Sequence, residues 1–153
     1  LTICLILFAL PSWSETLTMD DLVERNDLYY KKFTNTPFTG EISGMENGKF
    51  KKGKRTGEWF TYWENGQLLF KENYKDGKED GLWEWYNDNG QLRVKGNNKD
   101  GKKDGIWEEY YDNGQLEYKS NYKEGKLDGL WEWFNEDGSL KKTETWINGV
   151  KQE

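Results

Sequence analysis

The sequence predicts an all-β protein, an antiparallel meander of repeated β-hairpins that forms one elongated, twisted single sheet. A block of 24 residues recurs four times without a gap over residues 57–152, and one tryptophan marks the same place in each block. Each block holds two glycine turn signals, separated by about eight residues rich in aromatic residues and leucine. A fixed period of this size indicates a repeat array. The recurring tryptophans are Trp59, Trp83, Trp107 and Trp131.

Two turn dipeptides in each block set the predicted strand ends. The first turns contain Gly66, Gly90, Gly114 and Gly138, each preceded by Asn or Asp. Because Asn-Gly tolerates positive φ at both central residues, we predict two-residue type I′ turns there. The second turns are Asp76-Gly77, Asp100-Gly101, Glu124-Gly125 and Asn148-Gly149.

Two-residue turns also predict which residues face each other across the strands. At the first turns, Glu84 then opposes Lys95 and Trp83 opposes Gly96, a small residue that leaves room for an indole. In the next block the same rule pairs Glu108 with Lys119 and Trp107 with Ser120. At the second turns it pairs Phe70 with Trp83, Val94 with Trp107, and Tyr118 with Trp131. One face should therefore carry the tryptophans and other aromatic residues, and the opposite face Glu–Lys pairs with Tyr62, Tyr86 and Tyr110.

The rest of the chain divides into three segments. Residues 1–14 are uncharged and mostly apolar, with Ser12 and Ser14 before a plausible cleavage site, so we predict a signal peptide and a secreted or periplasmic protein. This stretch is too short for a membrane span. A retained anchor is the alternative. Residues 15–37 should form an N-terminal cap, a short helix from about Met19 and then a strand. Residues 38–56 are a degenerate short repeat, and Lys141 and Lys142 should protect the last strand from edge pairing.

The repeated pattern G-x-W-x-x-Y … N-G-Q-L … Y-K-D-G-K-x-D-G resembles the MORN-repeat variant of bacterial proteins, many of which are labelled antitoxin-type. The opening LYYKKFTNTPFTGEI (28–42) resembles secreted members of that group, and the resemblance covers residues 28–150. It implies stacked hairpins that act as an interaction scaffold. It carries over no catalytic or ligand-binding residues. A signal peptide would separate this chain from any cytoplasmic toxin.

Composition excludes several classes of function. The chain has no histidine, and its single cysteine, Cys4, lies in the predicted signal peptide, so we expect no thiolate metal site, no disulfide and no cofactor. A net charge of −6 argues against a nucleic-acid partner. The acidic residues of the second turns could bind calcium or act as paired carboxylates, but turn chemistry explains them better. They recur in every block, whereas catalysis needs one asymmetric constellation, so we predict no enzyme. These residues are Asp76, Asp80, Asp100, Asp104, Glu124 and Asp128.

Positions that vary between repeats are the candidates for binding a partner. The recurring tryptophans should be core. The positions two and four residues after the recurring tryptophans differ between repeats, as positions that bind a ligand do in repeat arrays. Relaxed packing explains this variation equally well. The aromatic residues there are Trp63, Trp85, Tyr111 and Trp133.

A single sheet cannot cover its own apolar face. Curling, the N-terminal segment, a second copy or a ligand must therefore do so. We predict a secreted scaffold that binds an unknown protein or itself. The alternative is a module that binds glycan or cell wall through stacked Trp and Tyr side chains. Lipid-surface binding is third, because anionic headgroups repel an acidic protein.

Overall fold

A computed structural model describes residues 16–153, and the predicted signal peptide and its anchor alternative lie outside them. The fold prediction is confirmed: the described chain is an antiparallel meander of hairpins in a large open sheet. A 3₁₀ helix, Met19–Asp21, precedes fifteen strands. The strands are β1 (Leu22–Arg25), β2 (Leu28–Lys31), β3 (Gly40–Ile42), β4 (Glu46–Lys51), β5 (Lys54–Tyr62), β6 (Leu68–Lys75), β7 (Lys78–Glu79), β8 (Gly81–Tyr86), β9 (Leu92–Lys99), β10 (Lys102–Lys103), β11 (Gly105–Tyr110), β12 (Leu116–Lys123), β13 (Lys126–Phe134), β14 (Leu140–Ile147) and β15 (Val150–Lys151).

The N-terminal segment adds a hairpin rather than one strand. Asp21 accepts hydrogen bonds from the backbone N–H and the hydroxyl of Thr18, at 2.8 and 3.0 Å, which holds the short 3₁₀ turn. These bonds lower the pKa of the Asp21 carboxyl. Strands β1 and β2 then form a separate two-stranded sheet. Its Tyr29 N–H donates to the Gly53 carbonyl at 2.8 Å, so the hairpin is tied to the start of the repeats.

The predicted type I′ geometry at the first turns is wrong. Of each Asn-Gly or Asp-Gly pair only the glycine has positive φ, 81° at Gly90. The Gly90 N–H donates to the Asn87 carbonyl at 2.9 Å, and the ladder shifts by one residue between Trp85 and Tyr86. This is a three-residue loop, a type I turn followed by a left-handed glycine and a bulge. The Asn89 side chain stabilises it by accepting the Gln91 N–H at 2.9 Å.

Type I′ geometry instead occurs at the second turns. Asp100 and Gly101 both have positive φ, 51° and 81°, as do the two central residues of each other second turn. Asp and Asn tolerate this region better than most residues, so these dipeptides suit the turn. The glycine N–H of each second turn also bonds to the preceding repeat. For example, Gly101 donates to the Glu79 carbonyl at 2.8 Å.

The predicted pairing across the first turns is confirmed. Glu84 faces Lys95, Trp83 faces Gly96, and the next block repeats both relationships. Beyond the second turns the prediction is wrong by two residues, because the observed pairs are Phe70 with Trp85, Val94 with Glu109 and Tyr118 with Trp133.

This shift has a local cause. Two pairs follow the turn, and then Asp80 leaves the ladder while Gly81 takes a φ of 117°. Side chains alternate with a period of two, so a two-residue shift keeps both faces as predicted. Phe70 and Trp83 still touch, with ring centroids 5.5 Å apart.

The best-packed core lies at the N-terminal end of the sheet. Trp59 is fully buried, and it packs with three other buried side chains, Leu22, Ile42 and Phe50. Phe50 and Trp59 meet edge to face with centroids 5.0 Å apart. The N-terminal hairpin and the degenerate repeat therefore cover the first part of the tryptophan-bearing face.

Candidate functional site

The tryptophan-bearing side of the sheet, here called the aromatic face, is covered unequally along its length. Trp59 is 0% exposed and Trp107 is 5% exposed, whereas Trp83 and Trp131 are half-buried. Trp83 contacts Trp107 with ring centroids 5.4 Å apart. Away from the N-terminal core, the face is thus only partly closed by its own side chains.

Two of the indoles pack against glycine in a neighbouring strand. A Cβ on Gly48 would lie 2.3 Å from Cδ2 of Trp59, and one on Gly96 would lie 2.2 Å from Cδ2 of Trp107. Such distances do not occur in real structures, so glycine is required at both positions. Trp83, the residue expected to fill the space at Gly96, does face it within the hairpin. The ring that fills the space over Gly96 comes from the next hairpin.

Between the second and third repeats the aromatic face forms a pocket of about 380 Å³, here called the central pocket. This is within the size range of small-ligand sites. Its walls combine aromatic rings with polar groups. The residues that line it are Glu79, Trp83, Val94, Asn98, Gly101, Lys103, Trp107, Glu108, Glu109, Tyr118, Ser120 and Tyr122.

Two charged groups of opposite sign lie in the central pocket. Glu79 accepts a hydrogen bond from the buried Asn98 amide at 2.6 Å. Lys103 is exposed at the rim and places its ammonium 4.0 Å from the ring centroid of Trp107 and 5.1 Å from that of Tyr122. Loss of solvent raises the pKa of the Glu79 carboxyl and lowers the pKa of the Lys103 ammonium. Both ions are therefore less favourable here than in water.

A third charged residue in the pocket, Glu109, is already paired. It accepts a hydrogen bond from the Tyr118 hydroxyl, and its other carboxylate oxygen lies 3.0 Å from the Arg93 guanidinium. Burial and this carboxylate raise the pKa of the Tyr118 hydroxyl. These bonds fix the Tyr118 ring at the pocket wall.

The four candidate interaction residues separate into two pairs. The Trp63 indole N–H donates to the Tyr86 carbonyl at 3.1 Å, and the Tyr111 hydroxyl donates to the Phe134 carbonyl at 2.8 Å. Each of these two side chains links the first turn of its own repeat to the first turn of the next repeat. Trp85 and Trp133 instead lie on the aromatic face, half-buried, and Trp133 stacks on Trp131 with centroids 4.4 Å apart. The structure does not bring the four together.

The polar residues of the central pocket were missed because they precede the tryptophans. Four residues before each recurring tryptophan the sequence has Arg55, Glu79, Lys103 and Leu127. The residue fifteen positions after the same tryptophan varies in parallel: Tyr74, Asn98, Tyr122 and Trp146. The two positions therefore vary together, since Arg55 and Lys103 occur with a tyrosine and Glu79 occurs with Asn98. This correlated variation could have been detected in the sequence.

Acidic residues near the second turns make backbone contacts. Asp80 accepts the Asp100 N–H at 3.3 Å, and Asp104 accepts the Glu124 N–H at 3.2 Å. Within residues 16–153, no cluster of three or more His, Cys, Asp or Glu side chains is arranged to hold a metal ion. Over the same residues, no helix has the length and apolar character needed to cross a bilayer.

Comparison with known proteins identifies the repeat. A family model described as the MORN repeat variant matches residues 55–76, 79–100, 103–124 and 127–148. No curated protein matches the chain. The crystal structure of an S. aureus TarM mutant in complex with Fondaparinux, alpha-GlcNAc-glycerol and UDP is similar over 74% of this chain, at 15% identity and a TM-score of 0.42. The chain spans 20% of the length of that structure.

Proposed function

Because this chain belongs to the MORN repeat variant family, we propose that it is a secreted, non-enzymatic scaffold whose aromatic face binds a protein partner or a second copy of itself. The observation that carries this proposal is the unequal cover of that face. The chain's own N-terminal segment closes it over Trp59, and no equivalent segment among the described residues lies over Trp131 and Trp133. A partly open aromatic face is typical of an interaction surface.

The C-terminal end of the aromatic face is the best candidate for the contact. Trp133 stacks on Trp131, and Trp131 contacts Trp146 with centroids 5.9 Å apart. Lys142 places its ammonium 4.9 Å from the centroid of the Trp133 ring. Tryptophan is among the residue types most frequent at the energetic centres of protein interfaces.

The proposal that the scaffold is not an enzyme rests on the roles of its acids. Asp80 and Asp104 accept backbone N–H groups in equivalent ways, as expected for residues that hold turns. The secreted location rests on the apolar residues 1–10 and on Ser12 and Ser14. Fusion of residues 1–20 to a reporter that is active only after export tests that location, and a reporter that stays inactive would contradict it.

The interaction is tested by pull-down with the full chain from an envelope fraction, together with light scattering for self-association. Trp133→Ala should lose the captured protein or the oligomer. Tyr62→Ala, on the Glu–Lys face, should retain it. Circular dichroism of both variants controls for folding. Equal capture by Trp133→Ala and the parent chain, or a parent that stays monomeric and captures nothing, would contradict the proposal.

A second candidate function, glycan binding, draws support from the central pocket. Its aromatic rings and hydrogen-bonding groups are the combination that sugar rings require, namely apolar surface for C–H groups and partners for hydroxyls. Retention of the chain on insoluble polysaccharide or peptidoglycan tests it, and no retention on any of them would end it.

A further inference from the structure

We propose that the central pocket binds one neutral hexopyranose unit of a glycan between the Glu79 carboxylate and the Lys103 ammonium. The inference rests on glycan binding, the second candidate function, and does not depend on the protein contact at Trp133. It assigns a place on the aromatic face and a chemical class of ligand.

The polar groups of the pocket have hydrogen-bonding capacity left over. Glu79 accepts one bond, from Asn98, and forms no salt bridge within residues 16–153. The Lys103 ammonium contacts aromatic rings and, over the same residues, has no carboxylate within salt-bridge distance.

The charges favour a neutral ligand with many hydroxyl groups. Glu108 and Glu109 are already paired with Lys95 and Arg93. The two remaining charges of the pocket, Glu79 and Lys103, have opposite signs, so the site has little net attraction for a simple cation or anion. One sugar hydroxyl can donate to the Glu79 carboxylate while another accepts from the Lys103 ammonium. Both charged side chains then gain a hydrogen-bond partner, and the ligand brings no charge of its own into the pocket. The half-buried rings of Trp83 and Tyr118 offer apolar surface to the C–H groups of the sugar.

Only one place along the array combines these features. One repeat earlier, Arg55 and Glu79 are also neighbours in the pattern, but Arg55 is bonded to Glu46 at 3.2 Å and packs against the Trp59 ring under the N-terminal segment. One repeat later, the position of Lys103 is taken by Leu127, which has no polar group. The pocket is therefore an asymmetric site in a repetitive fold.

The test is titration of the full chain with cellobiose, N,N′-diacetylchitobiose and maltose, monitored by tryptophan fluorescence and by saturation-transfer NMR. At least one sugar should give a saturable response below about 50 mM, the range expected for a single-unit site. Glu79→Gln and Lys103→Met should each weaken that affinity about tenfold, because each removes a charge-assisted hydrogen bond. Lys102→Met, an exposed neighbour outside the pocket, is the matched control and should bind like the parent chain.

Two further measurements separate the possible failures. Tyr62→Ala, on the Glu–Lys face, should leave the sugar titration unchanged, because Tyr62 does not line the pocket. If both pocket variants are retained on polysaccharide as strongly as the parent chain, glycan binding lies elsewhere and the inference is overturned. A saturable response to free glycine and to none of the sugars would overturn the ligand class. Circular dichroism confirms that each variant is folded.

Discussion

The ring of Trp107 occupies the space directly over Gly96, although Trp83 is the residue that faces Gly96 within the hairpin. Trp59 has the same relationship to Gly48. These two indoles therefore pack across the junctions between successive hairpins. In a repeat array, contacts between neighbours supply much of the stability, so these junctions should couple the unfolding of adjacent repeats.

Gly96→Ala tests this packing. Because the new Cβ would lie 2.2 Å from the Trp107 ring, the ring must move, and we expect the free energy of unfolding to fall by about 1–3 kcal/mol. Urea unfolding followed by tryptophan fluorescence measures it. Ser120→Ala, at the equivalent position one repeat later, is the control. It removes a buried hydroxyl that has no hydrogen-bond partner among residues 16–153, so it should be neutral or slightly stabilising. A neutral Gly96→Ala would show that Trp107 does not depend on this gap.

Glu124→Asn tests the assignment of turn types. Glu124 has a φ of 51° in its type I′ turn, where the other second turns have Asp or Asn. Asn adopts this region at lower cost, so the variant should gain about 0.5–1 kcal/mol and raise Tm by roughly 2–5 °C. Calorimetry measures the shift. Glu64→Asn, in a first turn, should give no such gain because Glu64 has no positive φ. Equal gains in the two variants would argue against the assignment.

Stability should depend on pH through Glu79. Burial raises the pKa of its carboxyl above the ordinary 4.5, and the Arg55 charge opposes this only in part. The folded chain therefore binds this proton more tightly than the unfolded chain, and stability is lost as pH rises through the folded-state pKa. Glu79→Gln should be more stable than the parent at pH 7, by less than about 1 kcal/mol after solvent screening.

The difference should become small near pH 4, where the parent carboxyl is mostly protonated in both states. Thermal unfolding of the two chains across this pH range measures it. Glu64→Gln, an exposed carboxylate, controls for the substitution and should change stability by no more than about 0.5 kcal/mol. A gain for Glu79→Gln that is as large at pH 4 as at pH 7 would rule out this titration as the cause.

Arg55→Met tests the tie between the N-terminal segment and the repeats. The Arg55 guanidinium lies 4.4 Å from the centroid of the Trp59 ring and 3.2 Å from the Glu46 carboxylate. Its loss should lower the free energy of unfolding by about 1–3 kcal/mol. Chemical unfolding measures it. Lys49→Met breaks an exposed pair with Glu41 and should cost less than about 0.5 kcal/mol. Similar costs for the two variants would mean that the ring contacts of Arg55 contribute little.

Local sequence was enough to predict the period, the all-β class and the two faces. Those follow from the glycine turns and from side-chain alternation, as the pairing of Glu84 with Lys95 confirms. The two-residue shift at Asp80 was invisible to the same reasoning, because it leaves every side chain on its predicted face. Turn type was also misjudged, since Asn-Gly fits both a type I′ turn and a type I turn followed by a left-handed glycine.

The candidate site depended on the tertiary structure. Trp85 and Trp133 were predicted as interaction residues from their variation between repeats, and both lie on the aromatic face. Glu79 and Lys103 belong to different repeats, and they share a pocket where the second turn bonds to the preceding repeat, through the Gly101 N–H and the Glu79 carbonyl at 2.8 Å. The sequence by itself determined which side chains share a face, because strand alternation is local. Only the folded sheet decided which of them meet, because those contacts depend on how one hairpin is placed against the next.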